Sequence, residues 1–340
     1  MATPSEPVIA AATRRRIVPP GSEDAAIDRV CVSPQGDRIA FVRAGDAGYG
    51  IYTADLAGSP SGAQRVVEDL ALEVEDLAWS PRGSRLGYVL GAPLGGSPQV
   101  GWASAVEGGW SGRVQGASFA WMPGGDAIVV ADPARKSLWL YSVPPGKTRE
   151  LGSIDDDMDP AFPPRIAISP NGSRIAVTVG RAGEGVSEVW VITRDGARII
   201  KSMLTEIPGA GVHVLPFWSP NSVTLAMHAV HYEQHKTAII AVPKLEGDGV
   251  VLYESSLLDP PCTPTWSPSG RGIVFSRVER APDESGSSPS RLVLLDAQRE
   301  TFVALTEPGE VSGTPHFIDE RTLAVDGGAV AHVLTLADAP

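Results

Sequence analysis

The sequence predicts an all-β fold: a seven-bladed β-propeller of four-stranded antiparallel blades, closed by an N-terminal strand that completes the last blade. Three observations predict it. A tight-turn motif recurs at a near-constant interval, and short apolar or alternating segments of strand length follow each copy. Glycine and proline reach 37 and 30 of 340 residues without a collagen-like period, as many short strands joined by tight turns require. Hydrophobic residues at 43% and charged residues at 20% suffice for a large core and are too apolar for a disordered chain.

The turn motif is an apolar residue followed by Ser-Pro-x-Gly. Its copies are Val32-Ser33-Pro34-Gln35-Gly36, Trp79-Ser80-Pro81-Arg82-Gly83, Trp121-Met122-Pro123-Gly124-Gly125, Ile168-Ser169-Pro170-Asn171-Gly172, Trp218-Ser219-Pro220-Asn221-Ser222 and Trp266-Ser267-Pro268-Ser269-Gly270, with a degenerate seventh at Phe317-Ile318-Asp319-Glu320. Successive motif prolines lie 42 to 50 residues apart, the spacing of propeller blades. Proline presets φ at the first corner of a turn, and glycine or asparagine accepts positive φ at the last. Each motif is therefore a reversal between a blade's strands A and B.

Strand B follows directly, as in Arg38-Ile39-Ala40-Phe41-Val42, Arg85-Leu86-Gly87-Tyr88-Val89 and Arg174-Ile175-Ala176-Val177-Thr178, where alternating or continuous apolar sequence reads as strand. Strand C is Ile51-Tyr52-Thr53-Ala54-Asp55-Leu56, Leu138-Trp139-Leu140-Tyr141-Ser142 or Val189-Trp190-Val191-Ile192-Thr193. Strand D is shorter and more polar, as at Arg65-Val66-Val67 and Arg198-Ile199-Ile200, in keeping with an exposed edge. The last copy supplies A, B and C and stops near Leu336, while Arg14-Arg15-Arg16-Ile17-Val18 resembles a D strand without a blade of its own. Pairing the two leaves no open edge. The whole chain, 1–340, is then one propeller domain with blades at roughly 24–70, 71–115, 116–153, 160–205, 212–255, 260–306 and 312–340 plus 12–19.

Ser-Pro-x-Gly-x-x-Ile-Ala-Phe from Ser33 to Phe41, followed by Ile51-Tyr52 and Asp55-Leu56, resembles the repeat of TolB-like and related WD40-like bacterial propellers over the full length. TolB itself is six-bladed with a further N-terminal domain, for which this chain has no room. The resemblance implies the fold and leaves function open, because such propellers host many activities.

A net charge of −12 argues against partners held by phosphate contacts, so nucleic acid is not expected. The cations are mostly arginine, with lysine only at Lys136, Lys147, Lys201, Lys236 and Lys244, a bias of GC-rich bacterial coding. Cys31 and Cys262 read as small buried hydrophobes of different blades. No apolar run follows the N-terminal arginines, and no stretch is long enough to span a membrane. The chain as written is thus expected in the cytoplasm, or in the periplasm or outside the cell if a leader has been removed. A monomer is expected, without membrane insertion.

Candidate sites fall where loops vary. The near-invariant A–B turns are scaffold, and the B–C and D–A connections share the other face. Acids gather there: Glu73, Glu75 and Asp76 between blades one and two, and Asp155, Asp156, Asp157 and Asp159 between three and four. The second group reads first as a solvated, self-repelling loop and second as a divalent-cation site, though its spacing does not match an EF-hand. The histidine cluster lies in blade five: His213 before strand A, then His228, His231 and His235 around the B–C turn with Tyr232 and Glu233. Strand alternation sets His228 apart and leaves His213, His231 and His235 to converge as metal ligands, with ordinary packing as the plainer reading. Trp79, Trp121, Trp218 and Trp266, each before a turn, read as anchors between blades, and Trp110 as packing across a C–D turn.

Gly-x-Ser-x-Gly, a Walker-type loop (Gly-x-x-x-x-Gly-Lys followed by Ser or Thr) and Cys-x-x-Cys are all absent, since Gly146-Lys147-Thr148 has Tyr141 where that loop needs its first glycine, which removes the serine-hydrolase elbow, the phosphate loop and the dithiol motif. The functional expectation is a non-catalytic module that binds another protein or a peptide on the acidic face, without a required cofactor but with room for a divalent cation. The alternative is a metal-dependent lyase or hydrolase centred on His213, His231 and His235.

Overall fold

The computed structural model describes residues 13–337 except 21–25, 46–47, 57–61, 93–95, 133, 135, 145, 155–163, 182–184, 194–197, 200–211, 232–234, 246–248, 258, 260–261, 280–288, 298–300 and 312. The fold is all-β, a seven-bladed propeller of four-stranded antiparallel sheets. Among the described residues a single 3-10 turn, Pro243–Leu245, interrupts the strands, and no helix is long and apolar enough to cross a membrane. The chain divides into two compact units, one of residues 17–210 with 328–331, the other of 211–327 with the two chain ends.

The larger unit holds four sheets, each in the simple order A-B-C-D. Blade one is Ala26–Val32, Arg38–Gly45, Gly48–Asp55 and Gln64–Leu70; blade two is Val74–Trp79, Arg85–Leu90, Gln99–Ser104 and Ser111–Gln115. Between the motif residues the backbone closes a five-residue span, with Ser33 N–H on Arg38 O and Gly36 N–H on Ser33 O, each at 2.8 Å. The motif serine adds a bond that the proline-glycine reading missed: Ser33 Oγ accepts Arg38 N–H at 3.1 Å, Ser80 Oγ accepts Arg85 N–H at 3.1 Å and Ser169 Oγ accepts Arg174 N–H at 2.9 Å. These hydroxyls are fully buried, so each answers a backbone donor that would otherwise be stranded. Met122 has no hydroxyl, and its copy closes through backbone alone, Met122 N–H on Ala127 O at 2.9 Å.

Trp79 ties its blade to the preceding one through Nε1, which donates to Cys31 O at 3.2 Å. Its ring packs with Cys31, Ile51, Val67, Leu86 and Tyr88 in one core cluster, and Trp121 sits with Trp102 and Phe119 in another. Trp110 is half-buried against the latter, with the Arg85 guanidinium 5.6 Å from its ring centroid.

The smaller unit holds three sheets. Blade five is Val212–Trp218, Leu225–His231, Lys236–Val242 and Val250–Ser255; blade six is Thr265–Trp266, Gly272–Val278, Ser290–Asp296 and Thr301–Ala304. Its turns repeat the serine device, Ser219 Oγ on Thr224 N–H at 2.9 Å and Ser267 Oγ on Gly272 N–H at 3.0 Å. Ser222 occupies the glycine corner at φ 61°, a left-handed conformation with a steric cost for any residue bearing a Cβ. The seventh sheet runs Thr13–Ile17, Ala331–Thr335, Thr322–Asp326, Thr314–Phe317, so the N-terminal strand does complete the last blade. In its degenerate turn Asp319 Oδ1 accepts the N–H groups of Arg321 and Thr322, both at 2.8 Å, doing there what the serine does elsewhere. Both cysteines are buried, and no disulfide joins them.

Candidate functional site

Strand A of blade two begins Val74-Glu75-Asp76-Leu77, and the ladder slips by one residue between Val74 and Asp76. Val74 and Leu77 are both buried. Regular alternation would turn them to opposite faces, so an extra residue, Glu75, is extruded from the pairing as a bulge. Strand A of blade one carries the same slip between Asp28 and Val30, with Arg29 left over at φ 48°. Bulges re-aim side chains and are common beside active sites. Here the paired slips turn Arg29 toward blade two, where its Nε donates to Val74 O at 2.6 Å.

Asp76 is half-buried, and Leu77 N–H donates to its Oδ1 at 2.9 Å. Burial raises the Asp76 carboxyl above its ordinary value of 3.8, outweighing the positive charges of Arg165 and Arg29 and the Leu77 N–H, all of which lower it. Arg165 immediately precedes strand A of blade four, Ile166–Ile168, and is exposed, its own N–H donating to Thr178 Oγ1 at 2.7 Å. Strand A of blades one and two and the residue just before strand A of blade four thus contribute two guanidinium groups and one carboxyl within a single unit. Guanidinium groups take carboxylates in planar, two-point fashion, and a carboxyl held above its usual range is suited to moving protons near neutral pH. Glu73 and Glu75 beside them are exposed.

The other sequence-derived candidates fare differently. Register pairs Val212 with His231 and His213 with Val230. Directly paired positions share a face and alternate along the strand, so positions 213 and 231 lie on opposite faces of the blade-five sheet and are not brought together. His231 is buried, and His235 is exposed at φ 49°. Tyr232, Glu233, Asp155, Asp156, Asp157 and Asp159 lie outside the described residues. Among the described residues no group of three or more His, Cys, Asp or Glu is placed to hold a metal ion. His228 is wholly buried, its Nδ1 3.1 Å from Cys262 O, and burial holds its imidazole down at about 4.

A second perturbed carboxyl went unforeseen. Asp259, in the D–A connection before blade six, is 2% exposed; its Oδ1 accepts Val278 N–H at 2.7 Å, and its own N–H donates to Thr237 Oγ1 at 3.0 Å. Burial pushes it up to about 6 despite the Val278 N–H and the Arg277 charge. Nearby, Glu279 is gripped by Arg291, with Nε to Oε1 at 2.7 Å and Nη2 to Oε2 at 2.9 Å, and by Arg277. The Glu279 carboxylate is therefore compensated by two guanidinium groups.

No protein-family model matches the chain, and no curated protein matches it. Solved structures do. An oligogalacturonate lyase from Vibrio parahaemolyticus superposes with a TM-score of 0.61 at 13% identity, over 97% of this chain and 98% of that one. Prolyl oligopeptidase B from Galerina marginata gives 0.58 at 11%, over 91% of this chain and 49% of that one, and the Dos1 propeller gives 0.52 at 12%, over 92% and 78%. At these identities the likeness is one of fold. The propeller that the TolB-like repeat implied is shown. The expectation of a non-catalytic module is overturned: propellers of this fold include a lyase and prolyl oligopeptidases, so missing hydrolase and phosphate-loop motifs gave no ground for excluding chemistry.

Proposed function

We propose that the protein is an enzyme acting on a carboxylate-bearing substrate, with Asp76 moving the proton and Arg29 and Arg165 holding the substrate carboxylate. One observation carries this reading: the Asp76 carboxyl is raised although two guanidinium charges pull it the other way. The reaction that uses such a set is β-elimination. Asp76 accepts the proton from the carbon next to the carboxylate, and the guanidinium groups spread the negative charge that develops on the carboxylate oxygens. The electron pair of the broken C–H bond forms the new double bond as the bond to the β-oxygen breaks. The departing oxygen takes up a proton from the now-protonated Asp76 or from water, which balances the step. That the fold is shared with an oligogalacturonate lyase makes uronic-acid oligomers the substrates to try first.

The test is ultraviolet absorbance of the conjugated double bond formed on incubation with oligogalacturonate and other uronic-acid oligomers. Product is expected from the wild-type chain and not from Asp76→Asn. Absence of product with every uronate, together with uronate binding that survives loss of both Arg29 and Arg165, would overturn the reading.

A further inference from the structure

A cavity of about 730 Å³ opens between strand D of blade one and the C–D hairpin of blade two, on residues the elimination chemistry does not use. Its volume falls within the range of small-molecule sites, roughly 300–1,000 Å³. Four charged side chains line it, Arg65 and Glu68 from blade one and Glu107 and Arg113 from blade two, around the phenol of Tyr88.

A glycine on the neighbouring strand sets the position of the Tyr88 ring. Tyr88 pairs with Gly101 and Gly101 with Arg113 across three adjacent strands, so the three share one face of the sheet. A Cβ at Gly101 would stand 2.1 Å from Tyr88 Cζ; only glycine lets the ring lie flat across the strand and meet the Arg113 side chain, with which it is hydrogen-bonded. Tyr88 is 1% exposed, and burial raises its phenol, outweighing Arg113, so it stays protonated. The wall is the turn at Gly108, whose φ is 68° and where a Cβ would meet nothing within 4 Å. No side chain from Gly108 or Gly109 covers the mouth.

Among the described residues the lining carries two cations and two anions, a balance that disfavours a ligand of large net charge and matches one that carries both signs. From this geometry we infer a second ligand site at the blade one–blade two seam, for a zwitterion of the α-amino-acid class. Arg65 and Arg113 receive its carboxylate, and Glu68 and Glu107 its ammonium group.

The test is calorimetric titration and thermal-shift measurement of the full chain against the common amino acids singly. Propionate and ethylamine serve as probes bearing one charge each. At least one amino acid is expected to bind, with propionate and ethylamine at least tenfold weaker. Arg113→Met and Glu68→Gln should each weaken binding tenfold or more, and Arg29→Ala should leave it unchanged. Tyr88→Phe, which removes only the hydroxyl, should weaken it severalfold and serves in place of Arg113→Met if that variant fails to fold. Equal binding of propionate, ethylamine and amino acids, no binding of any amino acid at millimolar concentration, or binding indifferent to Arg113, Glu68 and Tyr88 would overturn the inference. Because Arg29 belongs to the elimination site, its variant separates failure here from failure there.

Discussion

Asp76 and Asp259 are both carboxyls lifted above their ordinary range by burial, yet they occupy opposite kinds of surroundings. Asp259 is sunk between blades five and six with a partner on either side: Val278 N–H donates to its carboxylate, and the Thr237 hydroxyl accepts its amide. The same threonine hydroxyl donates to Leu257 O at 3.0 Å, so the group stitches a connection to two sheets. Asp76 is half-open, beside exposed Glu73, Glu75 and Arg165, and accepts only a local N–H from Leu77 among the bonds described for it. A raised carboxyl points to chemistry when a substrate can reach it and to architecture when the chain has already closed around it.

The largest effect expected from this contrast is on turnover. Asp76→Asn should lower the rate of uronate elimination by about 10²–10⁴-fold, while Asp259→Asn should leave it within a few fold; steady-state kinetics on one substrate compares the two. Arg29→Ala and Arg165→Ala should each raise KM by roughly tenfold or more, as expected for the loss of a charge-assisted contact worth about 1.5–3 kcal/mol. The pH–rate profile follows in size. A base must be deprotonated, so activity should rise with pH on the acid side with a midpoint above 3.8, and a rate that falls as pH increases through that range would exclude Asp76 as the base.

The smallest effect is on stability, and here Asp259 should dominate. Its folded-state value of about 6 exceeds the ordinary 3.8. The folded chain therefore binds that proton more tightly, and the associated stability is complete below pH 3.8 and lost as pH rises through about 6. The loss amounts to at most about 3 kcal/mol. Asp259→Asn should flatten that slope in denaturant titrations at pH 4, 5 and 6; a slope unchanged in the variant would remove Asp259 from the account.

Much of the fold was legible because one local device repeats. Proline at near-constant spacing marks six turns, five of them with glycine two residues on, and even the Met122 and Asp319 copies stand in register. The serine hydroxyl went unread because its partner, the amide five residues on, is set by the turn's closure rather than by any local preference of serine. The site was legible only in part. Glu73, Glu75 and Asp76 were singled out as acids, but a bulge is a property of pairing register, so nothing in either strand alone showed that Glu75 and Arg29 would be extruded. Arg165 joins Asp76 from two blades further along, a neighbour that no sequence window contains. The placing of positions 213 and 231 was hidden for a similar reason: a single step of register separates them, which alternation turns into opposite faces.

The seventh sheet joins Thr13–Ile17 to Ala331–Thr335, segments from opposite ends of a 340-residue chain. On the ribosome Thr13–Ile17 emerges long before its mate Ala331–Thr335 exists, and it must wait for the six intervening sheets to be made. Among the described residues that strand pairing has the longest sequence separation, and joining such distant segments carries the heaviest loop-closure cost. The last blade is accordingly the natural place for a late, slow step in acquiring the native state.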